Sequence, residues 1–285
     1  GGALTDTLLN PLEVVKIRVQ APGQTLYKGP VDCARSVLCT DGVLGLWLPG
    51  LAATWVRSFT YTAVRVGLYP TMRRLTSGGK AQPLLREQVA AGASTGAVAS
   101  LLFSPVELVR LRLVTEAGVV CASSGLLKTG LRSGSPPAYP HTAGAFAAVA
   151  RQEGAAGLWR GSSAQVARAV LLSGGQLASY DRLKALLRDS GMNEGPALQM
   201  VASLGSGFVG QTLAQPVDTI RTRVMTGSSE GYASVWGCVA KTLEHEGVRG
   251  FFRGYLPAVC RQCPVMVIQF PLVEEVRRLL GLGYM

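Results

Sequence analysis

Histidine is almost absent from this chain of 285 residues: His141 and His245 are the only two, and they sit in unrelated contexts. Cysteine is sparse as well. Cys33, Cys39, Cys121, Cys238, Cys260 and Cys263 supply a single C-x-x-C, at 260 and 263, with no second pair to complete a metal site. No metal and no cofactor are expected, and the thiols are expected to be free. Charged residues make up 16% and aromatics 7%. A compact Lys/Arg run, basic residues interleaved with aromatics, and any RNA- or DNA-binding motif are all missing, which argues against nucleic acid. A nucleophile–base pair, a phosphate loop and metal spacing are missing too, so no enzyme is expected. The chain opens without Met and without an Arg/Ser-rich amphipathic leader, so no cleavable targeting segment is expected.

What is abundant is apolar and small. The chain is 48% hydrophobic with 35 Gly and a mean hydropathy of +0.27. Glycine at that level suits membrane helices that pack closely. The net charge of +11 fits attraction to anionic lipid and anionic solutes. Residues 88–106 and 195–217 carry no charge, and at 1.5 Å per residue either can cross about 30 Å of hydrocarbon. Residues 57–72, 168–180 and 261–273 are apolar but carry single charges. A charge at membrane depth is costly, so these should face a watery interior, which predicts a helical bundle with a polar lumen.

A repeat of roughly a hundred residues organises the chain. Pro11-Leu12-Glu13-Val14-Val15-Lys16, Pro105-Val106-Glu107-Leu108-Val109-Arg110 and Pro216-Val217-Asp218-Thr219-Ile220-Arg221 share one pattern, and each is followed by a second arginine (Arg18, Arg112, Arg223). Nine residues before each Pro stands Gly2, Gly96 or Gly207. After each motif come Tyr27, Tyr139 and Tyr232; fourteen residues on lie Asp41-Gly42, Glu153-Gly154 and Glu246-Gly247. An aromatic segment then closes on Gly50, Gly161 or Gly254, and seven residues past each lies an arginine: Arg57, Arg168, Arg261. One such motif arises by chance; this many shared offsets do not.

The combination resembles the mitochondrial carrier family over essentially the whole chain. The resemblance implies an all-α membrane protein: six transmembrane helices in three pseudo-threefold repeats, with short matrix-side helices. It implies a multi-pass, cardiolipin-binding monomer of the mitochondrial inner membrane with no cofactor. One carrier domain would span 1–285, as repeats 1–80, 81–190 and 191–285. The first helix starts ten residues before its Pro against about twenty for its counterparts, so about two turns are expected to be missing. Repeat two carries a Ser/Gly/Pro-rich insertion over 117–140, whose composition reads as a flexible loop.

The same resemblance assigns roles. Mid-helix prolines kink three helices toward one end. There Glu13 with Arg110, Glu107 with Arg221 and Asp218 with Lys16 would close the matrix side, and Gln20 stands where the family braces a bridge. At the opposite end, Asp181 with Lys184 and Glu274 with Arg277 fit the cytoplasmic gate. Arg73 lacks its acid, because Pro70 takes that position. Arg57, Arg168 and Arg261 match the family's substrate contact points; Arg65, Gln176 and Gln269 lie two turns further, and Tyr61 lies between Arg57 and Arg65. Guanidinium forks suit carboxylate, phosphate or sulfate. Asp6 lies at substrate level, either to carry a proton or to partner an arginine. Arg160-Gly161 and Arg253-Gly254 match phosphate sites for membrane lipid. The expected function is exchange of small dicarboxylates such as oxoglutarate or malate. The alternatives are an uncoupling-type transporter of protons or fatty-acid anions, and a non-transporting scaffold.

Overall fold

The structure, a computed structural model, describes residues 2–22, 26–77, 85–120, 124, 126–131, 133–139, 141–192, 196–227 and 234–261. Among them, regular structure is helical apart from one isolated β-bridge. Of the expected site residues, Gln269, Glu274 and Arg277 lie outside the described set, as does the side chain of Arg65.

In chain order the helices are α1 (Gly2–Leu8), α2 (Asn10–Gln20), α3 (Pro30–Thr40), α4 (Leu44–Trp47), α5 (Leu51–Ser77), α6 (Leu85–Leu102), α7 (Ser104–Glu116), α8 (Thr142–Gln152), α9 (Gly154–Gly157), α10 (Ser162–Asp189), α11 (Pro196–Thr226) and α12 (Val235–Glu246). A 3-10 turn follows at Val248–Phe252, and residues 255–261 begin a further helix. At 1.5 Å per residue α5, α10 and α11 are each about 40–46 Å long. The ring runs in chain order: α1 packs on α5, α5 on α6, α6 on α10, α10 on α11, and α11 closes against α2. The α10–α11 contact is closest where Gly210 lies under Gln176 and Gly175 under Leu213, so a side chain at either glycine would collide.

The bundle is apolar on its outside. Trp55, Val56 and Phe59 of α5, Leu101 and Leu102 of α6, Val170 and Leu171 of α10, and Phe208, Val209 and Leu213 of α11 are all exposed. Buried polar residues (Thr5, Thr95, Ser100, Ser206, Gln211, Gln215) occupy the other faces. That inversion fits a lipid surround. It also lowers the hydropathy of each helix: among the described residues no helix is long and apolar enough to cross a membrane by hydropathy alone.

The prolines bend two of the three odd spans. Proline offers no N–H, so the carbonyl four residues back loses its partner. At Pro11 the span breaks at Leu9, and the freed carbonyl of Thr7 accepts Trp47 Nε1 at 2.8 Å. At Pro105 it breaks at Phe103, and the carbonyl of Leu101 accepts Trp159 Nε1 at 3.0 Å. α11 runs through Pro216 unbroken. The third repeat has Phe251-Phe252 in the tryptophan's segment, and Thr212 instead meets the Tyr255 hydroxyl at 2.7 Å.

The second arginine of each motif ties its repeat to the short helices and to the next repeat. Arg112 pairs with Glu153 at 2.6 Å and donates to the carbonyl of Met225 at 3.0 Å. Arg223 pairs with Glu246 at 2.8 Å and donates to Thr242 at 2.9 Å and to the carbonyl of Gln20 at 3.4 Å. Arg18 meets Asp41 at 3.6 Å and the carbonyl of Ala117 at 2.9 Å. Around these arginines lies an apolar core drawn from all three repeats, including Val14, Val37, Leu108, Val114, Val149 and Met225.

The insertion is more ordered than its composition suggests. In its described part Val120 bridges Leu127, Lys128 N donates to Val119 O, and Gly134 N donates to Leu127 O. Leu127 is buried, and Leu131 packs on the three-repeat core. Two leucines with an apolar surface to cover outweigh the Ser/Gly/Pro bias.

Candidate functional site

Three acids sit where the odd spans converge. Lys16 Nζ lies 2.8 Å from Asp218, Arg110 Nη2 lies 2.9 Å from Glu13, and Arg221 pairs with Glu107. Each acid lies one helical turn N-terminal to its own repeat's base and faces the base of a neighbouring repeat. The Pro bend and the 3.6-residue period together bring this about. The ring is nearly dry, with the side chains of Asp218, Arg110 and Glu107 all under 5% exposed.

A second ring of cations holds the same acids. Arg57 Nε lies 3.4 Å from Glu107, Arg168 pairs with Asp218, and Arg261 pairs with Glu13. The register is cyclic: the even-span arginine of each repeat takes the acid of the next. Asp6 joins from α1, 2.9 Å from Arg261 and 3.9 Å from Arg57, and accepts a hydrogen bond from Ser58 Oγ at 2.5 Å. Six cations (Lys16, Arg57, Arg110, Arg168, Arg221, Arg261) thus surround four carboxylates (Asp6, Glu13, Glu107, Asp218), leaving two positive charges in excess. The Nε atoms of Arg57 and Arg261 are buried without a hydrogen bond.

Other expected residues stand apart from this cluster. Tyr61 stacks edge-on to Phe103 at 6.3 Å, against the break between α6 and α7. Gln176 lies over Gly210 in the α10–α11 contact. Gln20 does not spend its amide on an ion pair: Nε2 donates to Thr219 at 3.3 Å and to the Arg253 carbonyl at 3.1 Å, and Oε1 accepts from Thr222 at 3.1 Å. It sits one turn beyond Lys16, and its partner Thr222 sits one turn beyond Asp218, so it lies beneath that ion pair. At the other end Asp181 is exposed and Lys184 partly so, and α5 continues through Pro70 to place Arg73 on its last turns.

Arg160 and Arg253 reach the acids of the acid-Gly pairs, Glu153 at 3.5 Å and Glu246 at 3.0 Å. Gly161 and Gly254 take positive φ (78° and 74°) and press on Met225 and Gln20. A pocket of about 290 Å³ lies between the first and third repeats, lined by Tyr27, Lys28, Gly29, Arg249, Arg253 and Gly254 among others. The N-terminus of α3 begins at Pro30 on its wall. Cys33 and Cys238 are buried on α3 and α12, and burial pushes the Cys33 thiol up to about 11.

Sequence reasoning missed the second ring and the tryptophan donors. The seven-residue offset from Gly50, Gly161 and Gly254 marked the arginines but not their partners. The signal for the tryptophans was that each Pro-freed carbonyl needs a donor.

The chain matches the family described as mitochondrial carrier protein in three successive segments, residues 1–80, 82–191 and 193–283. It is 32% identical to mitochondrial uncoupling protein 4 of Arabidopsis thaliana, covering 95% of this chain and 93% of that protein. It is 30% identical to mitochondrial brown fat uncoupling protein 1 of Ochotona dauurica and of Ovis aries, covering 96% of this chain and 88% of each. The threefold motifs, the all-helical ring with its apolar exterior and these matches lead to one assignment: the chain belongs to the mitochondrial carrier family, as a multi-pass protein of the mitochondrial inner membrane.

Proposed function

We propose that this carrier is of the uncoupling type, passing protons or fatty-acid anions across the inner membrane. The relatives named above are uncoupling proteins by name, which favours this reading over dicarboxylate exchange. The observation that carries the proposal is Asp6. It is the one acid among the three equivalent positions, the other two being Ser100 and Gln211. It lies between Arg57 and Arg261 with Ser58 as a hydroxyl partner. Protonating it removes one of the two acids on each guanidinium, leaving Arg57 on Glu107 and Arg261 on Glu13, so a proton at Asp6 and an anion at the arginines are coupled through the same contacts.

Opening follows from the double ring. An anion bound by Arg57, Arg168 and Arg261 competes with Glu107, Asp218 and Glu13 for the same guanidiniums. Each acid that loses its upper cation then holds its lower partner across the seam by one contact fewer. The ion pairs of the matrix ring are partly offset by desolvation, so a binding energy of a few kcal/mol is enough to shift the balance. On this reading Arg73, Asp181 and Lys184 belong to a lighter cytoplasmic gate.

The excess of two positive charges favours a second reading, exchange of a dicarboxylate such as malate or oxoglutarate, whose charge it matches. The deciding experiment is reconstitution into liposomes, measuring laurate-dependent proton flux with an internal pH dye beside uptake of labelled malate against internal malate. Proton flux that falls at least tenfold in Asp6→Asn supports the uncoupling reading. Malate counter-exchange that is lost in Arg168→Ala supports the second.

A lipid phosphate in the pocket at Lys28, Arg249 and Arg253 is part of the proposal, with cardiolipin as the headgroup. The N-terminus of α3 adds backbone donors there. Arg160-Gly161 is the related site in repeat two.

A further inference from the structure

The geometry points to Gln211 as a positioning residue for the matrix ring, acting on Asp218 from the lumen side. Gln211 and Asp218 lie two turns apart on α11. Gln211 Nε2 donates to Asp218 Oδ2 at 3.2 Å and to Gln215 Oε1 at 3.1 Å. Gln215 is itself fixed, because its Nε2 donates to the Arg253 carbonyl at 2.9 Å. Both glutamines are nearly inaccessible, at 5% and 0% exposure. Asp218 Oδ2 therefore receives Lys16 from α2 and Gln211 from its own helix, while Oδ1 receives Arg168 from α10. A short ladder of side chains fixes the carboxylate that holds two cations from two other spans. Neither equivalent position can do this: Ser100 is too short to reach Glu107, and Asp6 repels Glu13 rather than donating to it.

An amide in this place has a consequence that an acid or an alkyl group would not. It gives Asp218 a donor without adding charge, so Lys16 and Arg168 stay fully committed to that carboxylate. Removing the donor leaves Asp218 one bond short, and a hydrogen bond to a charged group is worth about tenfold or more in an equilibrium. The inference rests on the reading of the ring as a gate, and the experiment separates the two.

Passive chloride flux is measured in liposomes carrying the full chain, across pH 5 to 8, for the wild type, Gln211→Leu, Gln211→Glu and Lys16→Ala. Gln211→Leu is expected to raise the flux about tenfold at every pH. Gln211→Glu is the decisive variant. While its new carboxyl is protonated the O–H donates to Asp218 as the amide did, and the flux stays at the wild-type level. Once ionised, it faces the Asp218 carboxylate and competes for Lys16 and Arg168, and the flux rises. The charged groups around it are Asp218 on α11, Lys16 on α2 and Arg168 on α10, so the rise with pH reports this cluster. A role in helix packing alone would give a loss that pH does not reverse. If Lys16→Ala raises the flux while Gln211→Glu matches the wild type at all pH values, the brace is wrong and the gate stands. If Lys16→Ala is silent, the gate reading falls and the brace with it.

Discussion

The corners of the ring at Glu13 and at Asp218 hold the same kinds of charge in opposite ways. At Glu13 both cations have a second anion: Arg110 also reaches Glu107 at 3.5 Å and donates to Thr54 at 2.8 Å, and Arg261 also reaches Asp6 at 2.9 Å. At Asp218 neither Lys16 nor Arg168 has another anionic partner among the described residues. That corner is held instead by amides, with Gln211 on the acid and Gln20 in the seam behind it. The comparison teaches that threefold charge symmetry does not imply threefold strength. One corner shares its load over a network and loses contacts gradually. The other rests on one carboxylate and fails at once.

Neutralising the two acids tests this most sharply. Asp218→Asn strips Lys16 and Arg168 of the only anion either one meets among the described residues, and the closed end should lose about 3–5 kcal/mol. Glu13→Gln leaves Arg110 on Glu107 and Arg261 on Asp6, so its loss should be about 1–2 kcal/mol, that of hydrogen bonds to charged groups. Thermal unfolding of the purified carrier in detergent, read beside chloride leak in liposomes, checks both. Equal losses at the two acids would erase the difference between the corners.

The seams differ next. Gly254 presses on Gln20, whereas Gly50 and Gly161 press on Val114 and Met225, so at these glycines one seam meets a hydrogen-bonding amide and two meet apolar side chains. Gln20→Leu keeps the volume but removes three hydrogen bonds, while Thr219 keeps the Phe251 carbonyl, Thr222 the Asp218 carbonyl and the Arg253 carbonyl Gln215. The lost bonds should cost the seam about 1–3 kcal/mol. Met225→Leu, at the equivalent place between repeats two and three, is a volume-conserving swap that should cost under about 1.5 kcal/mol. The same unfolding measurement ranks them, and a cost at Met225 as large as at Gln20 would show the seams to be alike.

Much of this architecture was legible because it is written three times. A Pro, an acid two residues on and a base five residues on fix a bend and put both charges on one helical face. Three copies turn a weak local pattern into a closed ring. The arginines at 57, 168 and 261 were legible as interior charges for the same reason. Their attachment to the acids was not, because which carboxylate a long guanidinium reaches depends on how tightly the bundle closes. Gln20 shows the limit on the other side. The resemblance placed a brace there beneath a bridge, but which groups its amide reaches, a Thr pair on α11 and the Arg253 carbonyl, was not legible. The order in the insertion was hidden behind its small residues, since two leucines set its packing and composition weighs all residues equally.

The kinks offer the finest distinction. Trp159→Phe keeps the ring but leaves the Leu101 carbonyl, freed by Pro105, without its donor. Trp47→Phe does the same to Thr7 at Pro11, though Trp55 Nε1 still holds the Thr7 hydroxyl at 2.8 Å. Trp159 is half-exposed, so water can replace part of what is lost, and the cost should be about 1 kcal/mol for Trp159 and less for Trp47. In repeat three the donor position is already Phe252 and α11 continues through Pro216 without a break, so Phe252→Leu should change stability by less than either. Hydrogen exchange at the amides around Phe103 reports the bend directly. Faster exchange there in Trp159→Phe, with none around Thr212 in Phe252→Leu, would mean that the tryptophan holds the kink open. Unchanged exchange in both would mean that the proline alone sets the angle, and then the unbroken course of α11 through Pro216 would have to come from its neighbours rather than from the missing donor.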